Sequence, residues 1–328
     1  MSIHSSRRAG AIGVHSINRF VFTVPELGAA QHFYTSFGLD VRRTGQRLDL
    51  HTENNAHCWA SIFEGEPQGR KRLEYLSFGV YEDDMPEFAR RMSTHGIGCP
   101  PHPLSDGSGL WLRNPDGITL QLTVAPKVSP SAKMPPAERF PVPLGHGAAP
   151  ARSQVTQVRP RALSHILMFT PDVPRMVEFN RDLLGLRLSD RSLDIIAFMH
   201  GAHGSDHHLV AYAKSNAPGL HHSSWSVGSI DEVGLGAEQM RTAGFDRGWG
   251  LGRHVLGSNY FHYVEDPWGS FAEFSHDIDF IAHDVDWAAA DHPPEDSLYV
   301  WGPAVPDNFI VNHEQHPTGA SINKGHKT

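Results

Sequence analysis

The segment "NRFVFTV" reads as a strand, and the stretch after it, "PELGAAQHFYTSFGLDV", changes to the spacing of an amphipathic helix with a Gly-Leu exit. The same succession returns in the second half of the chain as "SHILMFTPDVPRMVEFNRDLLGLRL". A further pair, "LEYLSFGVYEDDMPEFARRMSTHGI" and "LHHSSWSVGSIDEVGLGAEQMRTAGF", repeats it once more in each half. Each half then closes on a hairpin pattern, "GLWLRNPDGITLQLTV" or "NYFHYVEDPWGSFAEFSH", around Asn-Pro-Asp-Gly or Asp-Pro-Trp-Gly. In such turns Pro presets φ and Gly supplies a positive φ. Ser229 and Glu232 stand at capping-box spacing ahead of the last helix. Four strand-helix-strands (βαβββ) modules in two paired domains follow, an α+β fold with curved mixed sheets.

Between the halves, a stretch rich in Pro, Ala and Ser carries neither a helical nor a strand period and reads as a linker. The expected division is residues 1–125, a linker over 126–160, and 161–328 with a C-terminal tail.

The repeat sets a register of its own. Five positions before the β-branched residue that ends each first strand (Val24, Val80, Thr170, Val227) stand Arg19, Tyr75, His165 and His222. Four positions after the turn glycine stand Gln121 in the first half and Glu273 in the second. Equivalent strand positions in a duplicated fold converge, so His165, His222 and Glu273 are expected in one cup. Two imidazoles and a carboxylate form the facial triad that leaves positions open on non-haem Fe(II), and Mn(II) suits the same donors. Arg19, Tyr75 and Gln121 cannot hold a divalent ion, so the first half is expected to be metal-free. Adjacent strand residues face opposite ways, so His221 is expected to turn away from the cup.

Composition narrows the partners. With 23 histidines, only a constellation with fixed register carries weight. A formal net charge of -8 without a long Lys/Arg block argues against nucleic acid. Two cysteines, Cys58 and Cys99, allow neither a disulfide framework nor a thiolate metal site and fit a reducing, cytoplasmic setting. No apolar run follows the basic N-terminal residues, so neither a signal peptide nor a membrane span is expected.

The second half resembles the type I extradiol catechol dioxygenases of the vicinal oxygen chelate superfamily. "HVLGSNYFHYVEDPWGSFAEF" resembles their C-terminal signature, and "HHLVAYA" followed by "LHHSSWSV" resembles the two preceding strands. The resemblance implies that a catechol and dioxygen meet on Fe(II) held by His165, His222 and Glu273, with ring opening beside the diol. It implies His208 as the acid–base residue beside dioxygen, Tyr263 as a hydrogen-bond partner of the substrate, and His254 as a further histidine near the catecholate. It also implies a homo-oligomer.

Further expectations concern surroundings. His207 and His221 are read as packing or supporting groups, and the glycines of "GWGLGRH" as a turn permitting close backbone approach near the substrate. No arginine follows Arg253, which favours a neutral or hydrophobic catechol over a carboxylate-bearing one. The aromatic and Pro-bearing tail "SLYVWGPAVPDNFIVNHEQH" is expected to cover the site. A hydroquinone-cleaving dioxygenase and a glyoxalase-like metal enzyme are the alternatives; the latter usually needs a further carboxylate, which Arg19, Tyr75 and Gln121 do not supply.

Overall fold

The computed structural model describes residues 7–137 and 142–315. In the first half β1 (Ser16–Val24), α1 (Leu27–Ser36), β2 (Asp40–Thr44), β3 (Arg47–His51) and β4 (Ala60–Glu64) form one module. β5 (Arg72–Val80), α2 (Met85–His95), β6 (Leu110–Arg113) and β7 (Thr119–Val124) form the next. The second half runs β8 (Ala162–Thr170), α3 (Val173–Phe179), β9 (Leu186–Ser192), β10 (Ile196–Gly201), β11 (Ser205–Asp206) and β12 (Val210–Lys214). It continues with β13 (Gly219–Ser226), α4 (Ile230–Thr242), β14 (Gly248–His254), β15 (Tyr260–Glu265) and β16 (Phe271–His276). Short strands β17 (Phe280–Ile281), β18 (Ala290–Asp291) and β19 (Tyr299–Trp301) belong to the tail.

Two mixed sheets result, ordered β2-β3-β4-β1-β5-β7-β6 and β18-β9-β10-β12-β8-β13-β16-β15-β14-β19. The fold is α+β, dominated by its sheets. The first half departs from a full repeat. Where the second half has β14, it keeps a single bridge, Gly98 to Leu112, because Pro100, Pro101 and Pro103 withhold the N–H donors a strand needs.

Local chemistry accounts for the elements. Phe20, Phe22 and Val24 alternate onto the buried face of β1. Ser229 Oγ accepts the Glu232 N–H at 3.1 Å and Glu232 Oε2 accepts the Gly228 N–H at 2.7 Å, closing the start of α4. Both hairpin turns are built alike: the side-chain oxygen of Asn114 accepts from Asp116 and Ile118, that of Asp266 from Trp268 and Ser270, and Gly117 and Gly269 take φ of 83° and 91°.

A single hydrophobic core joins the two sheets, with the Phe37 and Phe274 rings stacked 3.9 Å apart. The opposite face of each sheet is a cup with its own small hydrophobic cluster: Val21, Tyr75 and Trp111 in the first half, Trp249, Phe261, Tyr263, Phe271 and Phe309 in the second. The halves are also tied by the buried Lys71–Asp266 ion pair and by Glu314, whose carboxylate accepts N–H groups from Leu73 and Leu220. Between β7 and β8 the described residues hold only one 3₁₀ turn, Arg152–Gln154. No helix among the described residues is long and apolar enough to cross a membrane.

Candidate metal centre

Strand register builds the centre. His165 on β8 lies opposite Ser224 on β13, and Ser224 lies opposite Glu273 on β16. Side chains two apart on a strand share a face, so His222 joins Ser224 on the face that carries His165 and Glu273. The result is a buried triangle: His165 Nε2 to His222 Nε2 3.3 Å, His165 Nε2 to Glu273 Oε2 3.3 Å, His222 Nε2 to Glu273 Oε2 3.7 Å. A point equidistant from these atoms lies about 2.0 Å from each, a metal–ligand bond length for imidazole and carboxylate. Glu273 Oε2 is buried with no hydrogen-bond partner, a costly state for a carboxylate oxygen that a cation removes. The donors therefore fit a divalent ion.

Each ligand is held from behind. Glu273 Oε1 accepts from Asn259 Nδ2 at 3.0 Å, leaving Oε2 directed at the histidines. His165 Nδ1 lies 3.3 Å from Ser164 Oγ, which donates to Asp206 at 2.8 Å. His222 Nδ1 lies 2.7 Å from His221 Nδ1, and His221 Nε2 lies 2.7 Å from the Phe309 carbonyl. That carbonyl can only accept, so His221 carries its proton on Nε2, His222 carries its own on Nδ1, and the His222 Nε2 lone pair is left for the metal.

The position of His221 corrects the sequence expectation. β13 bulges against β8: Leu220 pairs with Met168 and His222 with Leu167, so His221 is the extra residue. Strict alternation fails there, and His221 lines the same cavity as His222 instead of facing away. β5 repeats the bulge, with Tyr75 opposite Val21, Leu73 opposite Phe22, and Glu74 as the extra residue.

His208, His254 and Tyr263 all line this cavity, about 270 Å³ in volume. His207 Nε2 lies 2.9 Å from Asp190 Oδ2 and its Nδ1 3.1 Å from His208 Nδ1. With the His207 proton on Nε2, His208 donates through Nδ1 and keeps a lone pair on Nε2. Burial, then the neighbouring His165, His207, His222 and His254, hold His208 well below the ordinary histidine range, so this imidazole is neutral. Burial does the same to His222, with His221 next in effect. Burial pushes the Glu273 carboxyl up, but the neighbouring His165 and then His254 outweigh it and the net shift is down. His254 Nδ1 donates to the Leu298 carbonyl at 2.8 Å, so its Nε2 accepts from the Tyr263 hydroxyl at 2.9 Å. Burial and the nearby Glu273 raise Tyr263 well above the ordinary phenol range, which keeps it a donor.

Walls of Phe169, Ile196, Phe198, Leu256 and Val305 make the cavity apolar. Among the described residues its one lining lysine, Lys214, is paired with Asp194, and no arginine lines it. From the tail, Pro294, Ser297, Leu298, Phe309 and Ile310 close over it. "GWGLGRH" is not a turn but β14, and its glycines serve strand packing: a Cβ on Gly252 would come within 2.5 Å of the Phe261 ring, and Gly250 has φ 131°. Asn259, Asp190 and the Phe309 carbonyl escaped the sequence reading, whereas His207 takes the supporting place expected of it, beside His208. Only the His207-His208 doublet offered a signal.

Residues 162–274 match the Glyoxalase/Bleomycin resistance protein/Dioxygenase superfamily. Metapyrocatechase 2 of Cupriavidus necator is 51% identical over 302 residues, 92% of this chain and 93% of that protein. Biphenyl-2,3-diol 1,2-dioxygenase of Metapseudomonas furukawaii is 25% identical over 93% of this chain and 100% of its own length. Among solved structures, a variant of homoprotocatechuate 2,3-dioxygenase from Brevibacterium fuscum superposes with a TM-score of 0.71 at 18% identity, covering 92% of this chain and 82% of that one. The chain thus belongs to the extradiol catechol dioxygenases of this superfamily.

Proposed function

We propose that this protein cleaves a neutral, largely apolar catechol beside its diol with dioxygen, using Fe(II) held by His165, His222 and Glu273. The observation that carries the reading is the buried His-His-Glu triangle opening on an apolar cavity. A divalent ion there supplies Lewis acidity and a template on which a chelating diol and dioxygen are brought together. Mn(II) is accommodated by the same donors, and Fe(II) is the assignment made here.

This chain's residues do the rest. Glu273 would supply the only anionic donor of the set, so a dication held there would keep a net positive charge for an anionic catecholate to meet. Tyr263, spending its proton on His254, turns an oxygen lone pair toward the cavity to receive a catechol hydroxyl. His208 offers a neutral Nε2 that takes up a proton and returns it, the requirement of general acid–base catalysis. The apolar walls and the tail exclude water while the ring is attacked. With no arginine among the described lining residues, a carboxylate-bearing catechol meets no fork there, so substrate preference runs to unsubstituted, alkyl- or aryl-substituted rings.

Homo-oligomer formation is part of the proposal. β19 is an edge strand with Val300 63% and Trp301 43% exposed, a surface that a second copy would cover. Sedimentation velocity checks it: a 36.2 kDa monomer at micromolar concentration contradicts this part. Oxygen uptake with a panel of catechols and hydroquinones, together with metal analysis, tests the chemistry. Uptake with catechols bearing apolar substituents and bound iron are expected; uptake with hydroquinones alone overturns the reading.

A further inference from the structure

Around its cup the first sheet repeats the pairing that builds the His-His-Glu triangle in the second. Arg19 lies opposite Ser77 and Ser77 opposite Gln121, as His165 lies opposite Ser224 and Ser224 opposite Glu273. The duplicated bulge places Tyr75 where the second half has His222. These residues also line an open space: Arg19, Tyr75 and Gln121 border a second cavity of about 440 Å³, roofed by the loop from Pro103 to Ser108. Duplication has replaced a metal-holding set with one arginine, one phenol and one amide around a cup that stayed hollow.

The unusual group is Arg19. It is half-buried, its Nε is sealed from solvent without a hydrogen-bond partner, and among the described residues it makes no hydrogen bond or ion pair. The nearby acids are otherwise engaged. Asp49 pairs with Arg47 and accepts from Ser61 Oγ, and Asp106 at the rim accepts from the Ser108 backbone and hydroxyl. Gln121 donates its amide to the Ser108 carbonyl at 3.0 Å, which holds the roof loop down and leaves its own oxygen free. Tyr75 is wedged between Trp111 and His102, with ring centroids 5.1 and 5.3 Å away.

A guanidinium that loses water without gaining an acceptor is costly, and its planar fork matches the two oxygens of a carboxylate. We propose that this cup binds a small organic carboxylate, with Arg19 as its anchor and the Tyr75 hydroxyl as a second donor. The cup lies on a different sheet from the His-His-Glu triangle and does not depend on the metal or on ring cleavage.

Isothermal titration of the metal-loaded protein with benzoate, cis,cis-muconate and inorganic phosphate tests it; the first two separate an aromatic acid from an open-chain unsaturated acid. Saturable binding of at least one carboxylate with a Kd of about 1 mM or below is expected. Arg19→Met should weaken it at least about tenfold, equivalent to roughly 1.4 kcal/mol, and Tyr75→Phe by less. Arg19→Met should leave catechol-cleavage kinetics unchanged, and the bound carboxylate should not raise the catechol KM. Absence of binding up to about 10 mM overturns the proposal, as does binding of phosphate alone, equal affinity in Arg19→Met, or competition with catechol. Should Arg19→Met fail to fold, Tyr75→Phe, which removes one hydroxyl, carries the same comparison.

Discussion

The Phe309 carbonyl in the tail reaches the metal centre through one residue: it accepts from His221 Nε2, and His221 Nδ1 sits 2.7 Å from the Nδ1 of His222. A backbone oxygen more than 80 residues away thereby decides which nitrogen of a proposed metal ligand carries the proton. His221 acts as a relay for orientation, and tail and metal are linked.

His221→Ala should therefore weaken metal binding by about ten- to a hundredfold, the usual effect of removing a ligand's outer partner. Metal content after dialysis against a graded chelator reads this directly. Retention equal to that of the unaltered protein would sink the relay.

Truncation before Ser297 removes the cavity roof and the Phe309 carbonyl together. The expected result is a higher catechol KM and a lower metal affinity in the same protein. Phe309→Ala keeps the carbonyl but loses the ring, so its effect should fall on KM alone.

His208→Phe should lower kcat by about 10²-fold or more while metal content is unchanged, since the proposed role of His208 is to move a proton and not to hold the ion. Asp190→Asn should give a smaller loss of kcat, because Asp190 sets the His207 tautomer that in turn sets His208. Single-turnover kinetics under saturating dioxygen separates these losses from changes in binding.

Glu314 gives a pH dependence. Burial raises its carboxyl from 4.5 to about 7, against the hydrogen bonds from Leu220 and Leu73 and the charge of Lys71, which lower it. Between pH 4.5 and 7 the unfolded chain has released this proton and the folded one has kept it, so stability falls as pH rises through that window. The loss is complete above the folded value and amounts to roughly 3 kcal/mol. Glu314→Gln should flatten this slope: melting temperatures at pH 5 and pH 8 should differ less in the variant than in the parent. An unchanged difference contradicts the assignment.

Much of the site was readable because the chain states its pattern more than once. The repeat alone picked His222 over His221 and aligned it with His165 and Glu273, and strand pairing brings these three together. What escaped had physical reasons. The bulge at His221 adds one residue to β13 without altering the alternation visible in "LHHSSWSV", so the facing of His221 was misread. Three glycines in "GWGLGRH" suggested a turn, whereas their lack of Cβ lets β14 sit against Tyr263 and Phe261. Carbonyls such as those of Phe309 and Leu298 carry no mark in a sequence, and Asp190 reaches His208 only through the His207 ring, a contact that spacing does not reveal. The lost strand near Gly98 was hidden too, although the prolines that abolish it were in plain view.

The most direct test is anaerobic purification followed by metal analysis and addition of a catechol with dioxygen, for the parent protein and for His222→Ala. About one iron per chain, oxygen uptake and a yellow ring-fission product are expected of the parent, and none of the three of His222→Ala. Ring cleavage that persists in His222→Ala with its metal content intact would contradict the account.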